Sequence, residues 1–499
     1  MAPPVFFQSF CFLLLITCVH HCVSHGEEVL LRKSNQHTHV MRVSSLLPPS
    51  DCSTSTKGQH SSGPGPKKSP SLQILHKRSP CLRPQKAQTQ PKTPHPHHFS
   101  LEQTLLQDQI RLNYLQNQLS PKSNNLQKQL LKKKTTSSLK SRPGVLYAIT
   151  SYVVQIGLGT PKSDFTVTFD TGSDLTWVQC EPCVGHCHPQ NETLFAPTHS
   201  TTYSNITCLT SECDQIFKAT GDPARCYSST CGYGIQYGDG SFSAGFLASE
   251  TLTVTPTDIF PNFLFGCGQN NDGLFGTTAG LLGLGRGNLS FINQSAKKYN
   301  RFFYYCLPIL SSSTGYLTFG DNGISGDKNV KFTKMIPDPR GPPFYFLNLT
   351  GLSVGGHKLG ITPSVFSTGG VIIDSGTVIT RLPKSAYAAL RSEFRRLMSR
   401  YKLGNPLSVL DTCYDFSGQS EISVPKIVLL FGERFDVEVE VDSSGVLISN
   451  GTLSQVCLAF AGTRDDGGLN VVGSWQQQKL NVVYDLGKQR VGFGPGVCG

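Results

Sequence analysis

Two eight-residue passages stand 204 positions apart: Thr166-Val167-Thr168-Phe169-Asp170-Thr171-Gly172-Ser173 and Gly370-Val371-Ile372-Ile373-Asp374-Ser375-Gly376-Thr377. Each is a β-rich apolar run ending in Asp, a small hydroxyl residue, Gly and a second hydroxyl residue. Two carboxyl groups within hydrogen-bonding distance cannot both ionise readily, so they share a proton. One then acts as base toward a water molecule while the other donates a hydrogen bond. The apolar run fixes the backbone of each Asp, and Gly172 and Gly376 let the two turns approach closely. Thr171, Ser173, Ser375 and Thr377 supply hydroxyl donors to the outer carboxylate oxygens. This chemistry calls for no metal, cofactor or covalent intermediate. A single Asp-Thr-Gly is an ordinary turn after a strand; the matched pair argues for two related halves meeting at a shared site.

The elements that must position these residues are mainly strands. After about Tyr147 the chain becomes short apolar runs separated by Gly, Pro, Asn and Asp, with 49 Gly in all. Runs such as Tyr152 to Ile156, Phe165 to Phe169, Val371 to Ile373 and Val482 to Tyr484 read as strands of a mainly β protein. The clearest helix falls at 384–402, where Tyr387, Leu390, Phe394, Leu397 and Tyr401 share one face. Upstream, residues 25 to about 100 are rich in Ser, Pro, Gln, His and Lys and are expected to be largely disordered. The cluster His95, His97, His98 falls there and reads as solvated linker. Residues 101–119 differ: Leu101, Leu105, Ile110, Leu112, Leu115 and Leu119 follow helical spacing, with Arg111 among them.

Charge and cysteines divide the chain in the same places. The net charge is +11 over 499 residues, but residues 25–142 hold 19 Lys and Arg against 5 Asp and Glu, while residues 143–499 hold 25 against 28. The basic character therefore belongs to the N-terminal segment. Residues 1–24 carry no charged side chain and contain an apolar run from Val5 to Val19 followed by Cys22-Val23-Ser24, the pattern of a secretory signal peptide. No other stretch approaches membrane-spanning length, which predicts a protein without a membrane anchor. Of 17 cysteines, twelve follow residue 143, an even number that in an exported chain predicts six disulfides. Sequons at Asn191, Asn205, Asn288, Asn293, Asn348 and Asn450 lie in that same zone and are expected glycosylation sites. Cys180, Cys183 and Cys187 with His186 and His188 have spacing that zinc also uses, but the export context favours disulfides. Gly283-Leu284-Gly285-Arg286-Gly287 lacks a P-loop Lys and reads as tight turns.

With these motifs in view, the sequence over about residues 147–499 resembles the pepsin-like aspartic proteases, and more closely their plant, nepenthesin-like branch. Tyr237-Gly238-Asp239-Gly240-Ser241 looks like that family's flap hairpin, with Tyr237 closing over substrate and Trp177 as its partner. Leu281-Leu282-Gly283 and Val471-Val472-Gly473 look like the elements that thread beside each catalytic loop. The ending Val482-Val483-Tyr484-Asp485 to Arg490-Val491-Gly492-Phe493 matches the family's last strands. The stretch from Phe265-Gly266-Cys267-Gly268-Gln269-Asn270 through Arg286 is also similar to plant proteases described as chloroplast nucleoid DNA-binding. The resemblance implies the disulfides Cys180–Cys183, Cys187–Cys267, Cys208–Cys231, Cys213–Cys226, Cys306–Cys498 and Cys413–Cys457, a pairing that spacing alone does not select.

The resemblance further implies a mainly β, bilobal pepsin-like fold with the active site in the cleft between two homologous β-lobes. The expected organisation is a signal peptide at 1–24, a basic prosegment at 25–142 with its helix near 101–119, an N-terminal lobe at 143–330 and a C-terminal lobe at 331–499. The implied activity is hydrolysis of peptide bonds with Asp170 and Asp374 as catalytic pair, an acidic optimum and pepstatin sensitivity. The partners expected are a protein or peptide substrate and the chain's own prosegment as intramolecular inhibitor, with the enzyme itself a monomer. Secreted or vacuolar localisation follows from the leader, with the chloroplast as alternative. Two rival readings remain: a non-catalytic inhibitor or binding protein on the same fold, and a protease whose basic segment also binds nucleic acid through phosphate contacts.

Overall fold

The computed structural model describes residues 37–47, 70–76, 101–119, 152–237, 240–273, 275–309, 314–337, 343–433 and 436–498. The leader, the His95 cluster, the Lys132-Lys133-Lys134 run, Gly238 and Asp239 lie outside these residues. Strand is the predominant regular structure of the described residues, arranged as two β-lobes joined by shared strands.

The first lobe is organised by the long strands Phe242–Thr255 and Asp258–Asp272, which pair antiparallel, and by Tyr152–Leu158 paired antiparallel with Ser163–Asp170. Phe165, Val167 and Phe169 alternate inward and are buried, as a half-buried strand requires. In the second lobe Val371–Ile373 lies between Tyr345–Leu347 and Asn470–Val472. The strands Phe302–Cys306, Leu480–Asp485, Arg490–Pro495 and Lys331–Lys334 form a layer between the lobes. One large cluster of buried side chains runs through both halves, so the lobes share a core.

The predicted helix at 384–402 runs from Lys384 to Leu397, buries Tyr387, Leu390 and Phe394, and carries Arg395 and Arg396 in its last turn. That placement suits the negative end of the helix dipole.

The expectation of a largely disordered stretch from 25 to about 100 is corrected in two places. Thr38–Arg42 pairs antiparallel with Glu421–Pro425 at the edge of the second lobe. Ser71–His76 pairs with Gly315–Phe319 of the interlobe layer and then with Tyr152 and Val153 of the first lobe. Leu72, Ile74 and His76 point inward with strand period, and the His76 ring stands edge-on to Tyr152 at 5.2 Å. A polar, proline-rich composition concealed both strands, because six residues of alternation are a weak signal beside their flanks.

The helix at 101–119 forms over Leu101–Gln118. Leu101 and Leu105 pack on Val378, Ile379, Leu407, Leu410 and Ile448, and Leu112, Leu115 and Leu119 pack on Phe344, Phe346, Ile372, Leu469 and Val471. Between these two apolar contacts the buried face of the helix carries Asp108 and Arg111.

The structure corrects four of the six expected disulfides. The bonds are Cys180–Cys267, Cys183–Cys187, Cys208–Cys226, Cys213–Cys231, Cys306–Cys498 and Cys413–Cys457. Strand Trp177–Gln179 pairs parallel with Gly266–Gly268, which sets Cys180 beside Cys267 and leaves Cys183 and Cys187 to close their own short loop. In the neighbouring hairpin Cys226 and Cys231 face each other across the ladder. Buried Cys231 meets buried Cys213, and exposed Cys226 meets the half-buried Cys208. The zinc reading of Cys180, Cys183 and Cys187 ends here, since all three are disulfide-bonded. Mass-spectrometric mapping of non-reduced digests is expected to recover peptides joining Cys208 to Cys226 and Cys213 to Cys231. Recovery of Cys208 joined to Cys231 would contradict this arrangement.

Candidate active site

Asp170 ends the strand Ser163–Asp170, and Asp374 follows the strand Val371–Ile373. Each of these strands has a parallel neighbour on one side, Gly280–Gly283 for the first and Asn470–Val472 for the second. Leu284 N–H donates to the Asp170 carbonyl at 2.9 Å, and Asp374 N–H donates to the Val472 carbonyl at 3.1 Å. Gly283 and Gly473 are required where these neighbours pass the Asp170 and Asp374 loops. A Cβ on Gly283 would lie 2.2 Å from the Asp174 carbonyl oxygen, and one on Gly473 would lie 2.5 Å from the Ile379 carbonyl carbon.

The two carboxylates are bound in matching ways. Gly172 N–H donates to Asp170 Oδ1 at 2.9 Å and Gly376 N–H donates to Asp374 Oδ1 at 3.1 Å. Ser173 Oγ donates to Asp170 Oδ2 at 2.9 Å and Thr377 Oγ1 to Asp374 Oδ2 at 2.6 Å. Across the pseudo-two-fold, Thr171 N–H donates to Ser375 Oγ at 3.1 Å and Ser375 N–H donates to Thr171 Oγ1 at 2.9 Å. These crossed bonds pin one lobe to the other directly beneath the carboxyl groups. All six residues flanking the aspartates at positions 171–173 and 375–377 therefore lie together at the site.

Arg111 of the helix Leu101–Gln118 occupies the gap between the carboxylates. Its Nη2 lies 2.9 Å from Asp170 Oδ1 and 2.9 Å from Asp374 Oδ2, and its Nε donates to Asp374 Oδ2 at 3.0 Å. A Cβ on Gly376 would fall 2.3 Å from that Nη2, so the glycines admit the cation as well as the twin loop. Burial pushes Asp170 up, and Asp374 beside it adds to this against the pull of Arg111, leaving Asp170 above the ordinary carboxylate range. Burial also opposes ionisation of Asp374, but Arg111, the Thr377 hydroxyl and Gly376 N–H outweigh it and hold Asp374 below that range. For Arg111 burial works against the charge, yet the two carboxylates more than offset it and hold the guanidinium protonated. Among the described residues Asp174 and the Tyr237, Tyr305 and Tyr484 hydroxyls also lie within electrostatic reach of the pair.

Tyr237 closes the hairpin between Thr230–Gln236 and Phe242–Thr255. Its hydroxyl accepts a hydrogen bond from Trp177 Nε1 at 2.8 Å, and its ring stands edge-on to Phe275 at 5.7 Å. Tyr237 is itself buried. Burial raises its pKa, so the hydroxyl stays protonated as a donor.

Two partners escaped the sequence reading. Asp108, one turn before Arg111, accepts from Val378 N–H at 2.6 Å and from the Arg381 guanidinium, whose Nη2 is 2.9 Å from Asp108 Oδ2. Both side chains are fully buried. The signals available were an acidic residue three positions before Arg111 and an arginine inside the buried strand Thr380–Leu382. Two sequon residues have the amide nitrogen that a glycan would occupy engaged: Asn293 donates to the Arg286 and Gly287 carbonyls at 2.7 and 2.8 Å, and exposed Asn450 donates to Gln455 Oε1 at 2.6 Å.

The comparisons accord with this geometry. Family models described as xylanase inhibitor N-terminal and xylanase inhibitor C-terminal match residues 152–321 and 344–495. An aspartyl protease family protein of Arabidopsis thaliana is 44% identical over 97% of this chain and 98% of its own length. Aspartic proteinase nepenthesin-1 of Nepenthes gracilis is 36% identical over 70% of this chain and 78% of its own. The chain belongs to the pepsin-like aspartic protease family, among the plant members that include the nepenthesins. Among solved structures, conglutin gamma, a basic 7S globulin from lupine seeds, shares the fold with TM-score 0.55 at 23% identity, over 70% of this chain and 93% of that one.

Asp174, four residues beyond Asp170, carries a separate consequence. It accepts from Gly287 N–H at 2.8 Å, and burial pushes its carboxyl up to about 7. Because that folded value lies above the unfolded one, its contribution to stability is complete below about pH 4 and is lost as pH rises toward 7. Asp174→Asn is therefore expected to raise stability at neutral pH by roughly 2 kcal/mol or more, with the gain vanishing near pH 4. Denaturant melts at both pH values check this, and an equal effect at the two would contradict it.

Proposed function

We propose that the chain is the inhibited precursor of an aspartic endopeptidase in which Asp170 and Asp374 activate a water molecule. The observation that carries this reading is the near two-fold set of carboxylates, amides and hydroxyls, complete on both sides, with a buried arginine of the N-terminal segment lying across it. With Arg111 withdrawn, the like charges of the pair cannot both persist, and one proton is shared between them. The ionised member takes a proton from water as it attacks the peptide carbonyl, and the protonated member donates to the carbonyl oxygen. Proton return to the nitrogen then releases the amine. Tyr237 covers the bound peptide from the flap. An extended peptide lies along the cleft now held by the helix, bound through its backbone with side-chain pockets setting preference.

In this reading residues 25–142 act as intramolecular inhibitor and residues 1–24 as leader, and the mature enzyme acts outside the cell or in the vacuole. Glycans at Asn191, Asn205, Asn288, Asn348 and Asn450 fit that route. The rival, a binding protein without catalysis, draws on the inhibitor names of the matching family models. The intact Asp-Thr-Gly and Asp-Ser-Gly sets favour the enzyme.

Purified precursor incubated at acid pH with a denatured protein is expected to cleave it, and Asp170→Asn or Asp374→Asn is expected to lower the rate by at least about 10²–10⁴-fold. Equal rates in wild type and both variants, after added protease has removed the N-terminal segment from each, would mean that the fold serves binding.

The lock has its own pH signature. Asp374 is held below its free value while Arg111 is bound, so that stabilisation is present above the free carboxylate pKa and is lost as pH falls through the depressed one. Asp170, held above the ordinary range, works in the opposite sense; in this reading the loss at Asp374 dominates, so that acidification releases the helix. Arg111→Gln leaves two buried carboxyls without a counter-charge, which raises their pKa values and inverts the dependence, so release grows as pH rises. Hydrogen exchange of residues 101–119 against pH reads both slopes, and a parallel response in the two proteins would contradict the lock.

A further inference from the structure

We infer that Val378 and Arg381 form a carboxylate-binding pocket in the substrate cleft, occupied by Asp108 in the precursor and available to an acidic side chain of the substrate once the helix has left. The inference rests on the proteolytic reading above and names a substrate class for the same cleft.

Three donors of the second lobe converge on one carboxylate. Val378 N–H donates to Asp108 Oδ1 at 2.6 Å, while Arg381 Nε and Nη2 reach Asp108 Oδ2 at 3.3 and 2.9 Å. The remaining arm of the fork, Nη1, donates to Gln109 Oε1 at 2.8 Å. Among the described residues the whole hydrogen bonding of this guanidinium goes to the helix, and none of it to the lobe that carries Arg381.

That allocation is unusual for a structural arginine. Arg381 is 0% exposed, and a buried guanidinium without a counter-charge is costly, by several kcal/mol in typical proteins. A lobe that used Arg381 for its own stability would supply the acid from within. Here the acid arrives on a removable segment, together with the arginine that covers Asp170 and Asp374.

The pocket is also built next to the reaction centre. Thr377 donates to Asp374, Val378 follows it directly, and Arg381 is three residues further along the same passage. On the helix Asp108 and Arg111 are separated by three residues, about 4.5 Å of rise. In an extended chain the same span is covered by one or two residues at about 3.3 Å each. A substrate acid reaching the pocket therefore sits within about three residues of the bond that is cut. The planar fork suits a carboxylate in two-point contact and disfavours a neutral amide, which would leave donors unpaired.

The test uses full-length precursor, folded with its N-terminal segment and then converted by acid or by a lysine-specific protease acting in the Lys132-Lys133-Lys134 run. Peptides of one neutral sequence, carrying Asp or Asn at each position in turn within four residues of the scissile bond, are compared at about pH 5.5, where a free Asp is ionised. At one position Asp is expected to exceed Asn in kcat/KM on the order of 10-fold. Arg381→Met is expected to abolish that ratio. Because Arg381→Met alone strands Asp108 in the precursor, the double variant Asp108→Leu with Arg381→Met removes both charges and keeps folding available. The same peptides are bound to processed Asp170→Asn protein and followed by anisotropy, so the Asp-over-Asn ratio is read without catalysis. A ratio near one at every position, or one that survives Arg381→Met, overturns the pocket. Absence of cleavage with the binding ratio intact overturns the proteolytic reading and leaves the pocket standing.

Discussion

Two carboxylates in one buried site repel each other, and much of the surrounding structure answers to that constraint. Asp170 and Asp374 are each almost wholly excluded from solvent, where an uncompensated negative charge is most costly. The amides of Gly172 and Gly376 and the hydroxyls of Ser173 and Thr377 supply part of the compensation. The remainder is supplied by a full positive charge, Arg111. Separating the lobes by even a small distance would break the crossed Thr171–Ser375 bonds and the bridging position of Nη2 together. The shared interlobe layer, with its common core, is what keeps that distance fixed.

The helix that brings Arg111 is arranged around the same requirement. A buried ion pair contributes little net stability over an apolar pair, whereas a broken one costs several kcal/mol. The leucines at each end of the helix provide the association, and the charges provide the register. A shift of one residue along the helix would move Arg111 off the pair and Asp108 off Arg381 simultaneously, breaking the pairing of all five charges. Docking and register are thus divided between different side chains on one face.

The parts of this design visible in the sequence are those written as local motifs. The octets around Asp170 and Asp374 announce a strand, a turn and a hydroxyl in consecutive residues, and the structure brings both together. The helix at 101–119 was legible because its leucines recur at helical spacing. Asp108 and Arg381 were not, since a single acid in a helix and a single arginine in a strand are ordinary until folding places them against each other. Four of the disulfides failed for a related reason: Cys208 and Cys213 are interchangeable partners for Cys226 and Cys231 until strand pairing decides which sulfurs face inward. The strands Thr38–Arg42 and Ser71–His76 owe their conformation to edges contributed by residues hundreds of positions away, so local composition misled.

The strand Ser71–His76 makes removal of the N-terminal segment a larger event than withdrawal of a plug. It lies between Gly315–Phe319 and Tyr152–Leu158, pairing with both. Its loss would expose the edge of Gly315–Phe319 together with the contacts of Leu72 and Ile74, and exposed edges recruit other strands. The helix and this strand are joined through the same chain, so loosening of Arg111 at the dyad and loosening of the sheet draw on one segment. A cut downstream of residue 119 severs that segment from the lobes without by itself dissolving its pairing. Release then depends on two separate energies, the ion pairs under the helix, which respond to pH, and the strand contacts, in which apolar Leu72 and Ile74 lie beside the buried His76. On the proposed precursor reading, such a segment would stay bound at neutral pH even after cleavage and depart once acid had weakened the ionic half of its attachment.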